Sequence, residues 1–174
     1  MFGGWESFYG RLGEYHRSPL AEVLPIIMQD KDDRRNFSQP VMVQRYQEHP
    51  VLEGLPWHSP PFVGGFNQFT PKPDAEILLE AVRFNVRLDE AAVFTPLERF
   101  PLLVVGKYGK GNVAALATDV APHWVGGWVD WGTERITQQT TGASFIEAGA
   151  NYMKFFAQLV QWCRSGDTGS RAVM

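Results

Sequence analysis

Apolar positions along the chain follow two periods. Toward the C-terminus Ala148, Tyr152, Phe155, Phe156, Leu159 and Cys163 recur at steps of three and four, while Asn151, Lys154, Gln158 and Gln161 take the opposite side. That spacing predicts an amphipathic helix within "FIEAGANYMKFFAQLVQWCRSG". In the middle, "PLLVVGKYGKGNVAALATD" (101–119) shows two apolar runs joined by a glycine-punctuated turn, the pattern of a β-hairpin. Both arms are apolar on successive residues, so both faces of their sheet should be covered, as when helices pack on either side. The pattern predicts α/β layers.

The remaining signals are shorter. "AEILLEA" (75–81) and "VMVQRY" (41–46) read as strands. In "SPLAEVLPI", Ser18 is placed to cap a short helix, with Pro19 at its first position and Pro25 at its end. Residues 1–17 read as a loop rich in glycine and aromatics, and 28–39 as a polar, exposed connection. "WHSPPFVGGFNQFTPKP" (57–73), with four prolines and a glycine pair, reads as a long irregular segment of the kind that often carries function. "TERITQQTTGAS" is polar and patternless. Internal repeats are lacking, and the reading is one α/β domain over 1–165 followed by a fraying tail, 166–174.

Charge removes several function classes. The net charge is −3, and the longest charged block is "DKDDRR", so there is no extended basic surface for a phosphate backbone and no nucleic-acid partner is expected. The single cysteine, Cys163, rules out an intramolecular disulfide, a thiolate metal cluster and a CxxC redox pair. Its place on the apolar stripe of the helix reads as a buried structural thiol. Apolar runs stay far below the ~20 residues of a membrane helix, and "MFGGWESFYG" lacks the basic start and apolar core of a signal peptide. The expectation is a soluble cytoplasmic protein that uses neither membrane nor cofactor.

Local motifs mostly have plain explanations. "GKYGKGNV" fails as a phosphate loop because Asn112 and Val113 stand where Lys and Ser/Thr are needed, so it reads as the hairpin turn. GxGxxG and GxSxG are both missing. His16, His49 and His58 lie among charges, before a proline and in a proline-rich loop, where surface or capping roles fit.

"LATDVAPHWVGGWVDWG" (116–132) is different. It follows an apolar strand and holds three of the six tryptophans, one of the four histidines and two aspartates. Ligands of doubly wound sheets bind at the carboxyl ends of strands, which is where Asp119 falls. Asp119 and His123 are four apart, yet Pro122 breaks the helix that would align them as metal ligands, so no metal site is predicted. The structural alternative makes Trp124, Trp128 and Trp131 a lid over a core edge, with Asp119 capping nearby amides.

Several segments taken together resemble a known family. "MFGGWESFYG…SPLAEVLPI", "HPVLEGLPW", "FVGGFN", "LLVVGKYGKGNVAALATDVAPHWVGGWVDW" and "ANYMKFFAQLVQW" are similar to the glutamine amidotransferase-like family of cytoplasmic proteins, relatives of class I glutamine amidotransferases with a flavodoxin-like sheet. The similarity spans roughly residues 1–165. It implies a sheet whose N-terminal βα units lie upstream of "GGW", so that the chain corresponds to the C-terminal two-thirds of the family's domain. A homo-oligomer or a missing N-terminal segment would then cover the sheet edge.

The resemblance also carries a departure. Class I amidotransferases use a cysteine on a strand-to-helix turn, with a histidine and a glutamate after a late strand. Here no cysteine stands near that turn, Ser18 opens the nearest helix, and "TDVAPHW" supplies Asp119 and His123 without a glutamate. Glutaminase activity is therefore not expected. The resemblance and the strand-end position together imply a pocket for a small polar molecule, with His123 as general base or acid, Asp119 orienting it, and Gly3, Gly4, Trp5, Ser18, Trp124 and Trp128 as binding residues. The competing reading is a non-catalytic assembly protein that uses exposed tryptophans of the aromatic loop as an interface.

Overall fold

The computed structural model describes residues 1–139, 141–142 and 144–166. Its elements are α1 (Leu20–Val23), β1 (Ile26–Met28), β2 (Arg34–Arg45), β3 (Phe62–Asn67), β4 (Phe69–Pro71), β5 (Glu76–Leu88), β6 (Ala92–Tyr108), β7 (Gly111–Leu116), β8 (Arg135–Gln138), β9 (Ile146–Gly149) and α2 (Ala150–Arg164). One five-stranded sheet, ordered β3-β2-β5-β6-β7, has every neighbour antiparallel. The pairs β1-β4 and β8-β9 form two small sheets.

The architecture is mixed α/β, built on a curled antiparallel sheet with few helices. Expectation and structure agree on the β6-β7 hairpin, on β5 over 75–81 and on α2. β7 runs antiparallel to β6, as a hairpin requires, and it makes one parallel contact, the bridge to Phe2 on its outer side. Apolar successive residues report that both faces are covered, and an antiparallel strand can be covered as well as a parallel one.

Two segments read as connections are strands. β2 begins at Arg34, inside the polar stretch, and β3 and β4 lie within the proline-rich one. The prolines explain both the misreading and the irregular pairing. Pro40 falls in the register shift of β2 against β3, and Pro96 and Pro101 fall beside shifts of β6 against β5, because proline has no N–H to give a ladder. "IEAG" (146–149), read as part of the start of the helix, is β9 instead, and Gly149 caps α2. The 166–174 tail lies outside the described residues, apart from Gly166.

The core is one cluster that takes in both faces of the sheet and α2, and it includes Val43, Val63, Phe66, Leu79, Leu103, Leu116, Trp128 and Phe155, all nearly devoid of exposure. Residues 1–3 are sewn to the outer edge of β7. Leu116 donates to the Met1 carbonyl at 3.0 Å, and Gly3 donates to the Leu116 carbonyl at 2.7 Å. This seam places the "GGW" turn beside the end of β7, where the aromatic loop starts.

Candidate functional site

Past β7 the chain is held before it turns. Ala117 donates to the Leu102 carbonyl, and the buried hydroxyl of Thr118 donates to the Gly65 carbonyl at 2.9 Å. Asp119 is 5 % exposed, and its carboxylate accepts three backbone N–H groups: His123 at 3.0 Å, Trp124 at 3.0 Å and Val125 at 2.8 Å. A buried carboxylate with three donors is satisfied, and what it fixes is the path of the loop. From α2, the Tyr152 hydroxyl donates to the Val120 carbonyl at 2.6 Å and pins the other side of that loop. Burial, then the charge of Asp119, pushes the Tyr152 phenol up to about 12.

The three tryptophans go inward. Trp124 donates its indole N–H to Asn36 Oδ1 at 2.7 Å. It lies over Gly65, where a Cβ would come within 2.6 Å of the indole nitrogen, so the glycine in β3 is the receptor for that ring. Trp128 is fully buried against Phe155, at 5.0 Å between ring centres, and Trp131 stacks on Trp57 at 4.8 Å. The interface expectation, which needed exposed tryptophans in this loop, is corrected on this point: Trp124, Trp128 and Trp131 belong to the interior.

His123 goes outward. Its side chain is 60 % exposed, its Nδ1 stands 3.9 Å from Asp119 Oδ2, and its ring lies 5.6 Å from that of Trp5. That distance to Asp119 exceeds a hydrogen bond. Asp119 therefore positions His123 through the backbone amide rather than through the ring. Trp5, 44 % exposed, also carries the Arg34 guanidinium 5.0 Å from its ring centre, a cation–π geometry. Arg34 is in turn held by Asp32 through Nε at 2.9 Å and Nη2 at 2.7 Å, a bond that lowers the Asp32 carboxyl below its usual range.

The turn that presents Trp5 has its own anchor. Gly4 donates to Asn67 Oδ1 at 2.9 Å, and Asn67 Nδ2 donates to Asp33 Oδ1 at 2.8 Å. Asp33 also accepts Tyr9 N–H and Gly10 N–H, each at 3.0 Å. These amides follow Phe8, a buried residue with a left-handed φ of 55°. Desolvation raises the Asp33 carboxyl above its ordinary value, against the pull of these donors. Asp33 and Asn67 are 2 % and 0 % exposed. In the sequence Asp33 sits in "DKDDRR", which reads as a solvated charge run, so nothing in the pattern marks it or Arg34.

Gly3, Gly4, Trp5, Asp119, His123 and Trp124 thus meet at one end of the sheet. Ser18 does not join them: its hydroxyl donates to the Tyr15 carbonyl and accepts Leu20 N–H at 3.3 Å, and Pro19 rather than Ser18 is the N-cap of α1. Trp128 lies below the site, in the core. The Gly3 N–H is taken by the Leu116 and Thr118 carbonyls and the Gly4 N–H by Asn67, so in this state both amides already have acceptors.

The family described as "Putative glutamine amidotransferase" matches residues 1–137. The chain belongs to that family. Among solved structures, it resembles cytoplasmic protein STM3548 from Salmonella typhimurium, with 29 % identity and TM-score 0.65 over 94 % of this chain and 53 % of that one. It also resembles cytoplasmic protein STM1381 from Salmonella typhimurium LT2, with 32 % identity and TM-score 0.58 over 72 % of this chain and 45 % of that one. The chain therefore spans about half the length of these structures. No curated protein matches it.

For an amidotransferase-like chain the nucleophile decides the chemistry. Cys163 is on α2, beside Met1, and burial pushes its thiol up, with the Met1 ammonium opposing only in part. A protonated, half-buried thiol is a poor nucleophile. Among the described residues no three His, Cys, Asp or Glu side chains converge in a way that could hold a metal ion, and no helix is long and apolar enough to cross a membrane.

Proposed function

We propose that this amidotransferase-like domain binds a small polar, planar ligand on the surface formed by Trp5, Arg34 and His123, and that it does so without glutaminase chemistry. The observation that carries the reading is the exposed Trp5 ring, set between a guanidinium at 5.0 Å and an imidazole at 5.6 Å. Each of the three is held from behind: Trp5 through Gly4 and Asn67, Arg34 through Asp32, His123 through Asp119. An aromatic face beside a cation and a proton-transfer group suits a carboxylate, an amide or a sugar acid. In catalysis His123 would exchange the proton, and Asp119 would act as a positioning residue through the loop.

The flavodoxin-like relationship belongs to the same reading. The parallel pairing of Met1–Gly3 with β7 is the register in which such a sheet continues outward. Beside it lies an apolar groove of 400 Å³ walled by Phe2, Val113, Leu159 and Cys163, which a further βα unit or another chain would fill. A cytoplasmic location fits the two structural neighbours, which are described as cytoplasmic proteins.

The test is titration of L-glutamine, L-glutamate, glucuronate and acetamide against tryptophan fluorescence, in the wild-type chain and in Trp5→Ala and His123→Ala. Saturable quenching by at least one compound, weakened roughly tenfold or more in both variants, is expected. Binding untouched by either substitution removes the surface from the site. Ammonia release from L-glutamine at a rate above background would overturn the absence of glutaminase activity.

A further inference from the structure

The β5-β6 hairpin continues well beyond the sheet. β2 pairs with β5 as far as Val82, and β7 pairs with β6 only from Leu103 onward, so from Arg83 to Arg99 the two strands are partnered by each other. Residues 85–99 are all exposed. The cross-strand pairs Phe84/Pro96, Val86/Phe94 and Leu88/Ala92 share one face of this ribbon, and all six side chains are apolar. The opposite face carries the pairs Asn85/Thr95 and Arg87/Val93. A two-stranded ribbon is marginal in water without a covered face, and here the apolar face is open.

That face runs into the body. Phe84 touches Phe94 at 5.2 Å and Phe62 at 6.0 Å between ring centres, and Phe62 pairs with Met42 of β2. Next to Met42 a groove of 640 Å³ lies between β2 and the loop carrying Leu55, Trp57 and Pro60, and Gln44, Arg45 and His58 line it as well. The most exposed apolar side chain of the ribbon is at its tip, Leu88 at 79 %. Knob and groove are on one continuous surface, about six residues or ~20 Å apart.

We propose that this ribbon is a dimerisation arm: the apolar face of one copy lies antiparallel on the same face of a second, and each Leu88 enters the other copy's groove between Leu55, Trp57 and Pro60.

Charge selects a second copy over a charged partner. Between 83 and 99 the ribbon carries Arg83, Arg87 and Arg99 against Asp89, Glu90 and Glu98, a net charge of zero. Its arginines are matched within the chain, by Glu98, Asp89 and Glu80. Such a face gives no electrostatic hold to nucleic acid or to an acidic peptide, and no repulsion between two copies.

Area agrees with a modest interface. Val86, Leu88 and Phe94 leave roughly 300–400 Å² of apolar surface in water, the size of the largest such patch on a typical monomer, which is often functional. Counted on both copies with the groove walls, the contact reaches roughly 1,200 Å², the lower end of stable interfaces. The dimer should therefore dissociate on dilution.

The experiment is sedimentation of the 174-residue chain from about 5 to 200 µM, a span that brackets a micromolar Kd. The expected result is a mass rising from 19.6 kDa toward twice that value. Leu88→Asp with Phe94→Asp should hold the chain monomeric, with unchanged far-ultraviolet circular dichroism, while Thr95→Asp on the opposite face should dimerise like wild type. Independently of folding effects in those variants, oxidation of a mixture of Leu88→Cys copies and Pro60→Cys copies should give a one-to-one cross-link. Wild-type chain that stays monomeric throughout overturns the proposal and leaves the face to another segment or partner. So does a dimer that survives the double aspartate substitution, or a mixture in which Leu88→Cys fails to join Pro60→Cys.

Discussion

Asp119 Oδ2 accepts the backbone N–H of His123 at 3.0 Å while the His123 ring nitrogen stands 3.9 Å from the same oxygen. The two residues are coupled through the main chain and not through the imidazole. They should therefore separate on substitution. Asp119→Ala strands three N–H groups, two of them buried, and should cost about 3 kcal/mol in urea unfolding. His123→Ala removes a mostly exposed ring and should change stability by no more than about 0.5 kcal/mol. Equal losses would show that the ring, and not the amide, carries the coupling.

Gly3 sits where the N-terminal segment crosses the end of β7. A Cβ there would lie 1.9 Å from the Ala117 carbonyl oxygen, and backbone on both sides cannot yield cheaply. Gly3→Ala should lose on the order of 3 kcal/mol or more and detach residues 1–3 from β7, seen as faster amide exchange at Leu116.

The Asn67 side chain links Gly4 to Asp33 inside the protein. Asn67→Leu keeps the branched shape but leaves the Gly4 N–H without its acceptor and removes a donor from a buried carboxylate. A loss of about 2–4 kcal/mol is expected in chemical denaturation. Ligand quenching of Trp5 should weaken with it, because the turn that presents the ring loses its anchor.

Tyr152 gives the pH dependence. Its folded value of about 12 lies above the unfolded value near 10, so the stability contributed by the neutral phenol is complete below pH 10 and is lost as pH rises through 12. Absorbance at 295 nm should show one of the five tyrosines titrating last, and Tyr152→Phe should remove that step. The same substitution breaks the bond to Val120 and should cost about 1 kcal/mol at neutral pH.

Much of the scaffold was legible in the pattern. The stripe of α2 and the two apolar arms of β6 and β7 declared themselves, because each buries a face through a period fixed by local geometry. Family similarity and strand-end position singled out Gly3, Gly4, Trp5, Asp119 and His123, and the structure brings them to one end of the sheet. Asp33, Asn67 and Arg34 were not found. A buried aspartate in a charged run and an asparagine between Phe66 and Gln68 have no period to betray them.

What the sequence determined by itself is what local periodicity and residue chemistry encode: one long amphipathic helix with the single cysteine on it, a strong hairpin, and the loop that brings Asp119 and His123 to a strand end. Tertiary structure alone decided the order of the strands in the sheet, the inward turn of three tryptophans, the closing of Asp119 upon backbone amides, and the projection of the β5-β6 ribbon. The reason is physical. Periodicity reports that a face is covered, but not by what or in which direction, and a polar side chain is buried only where distant parts of the chain supply its partners.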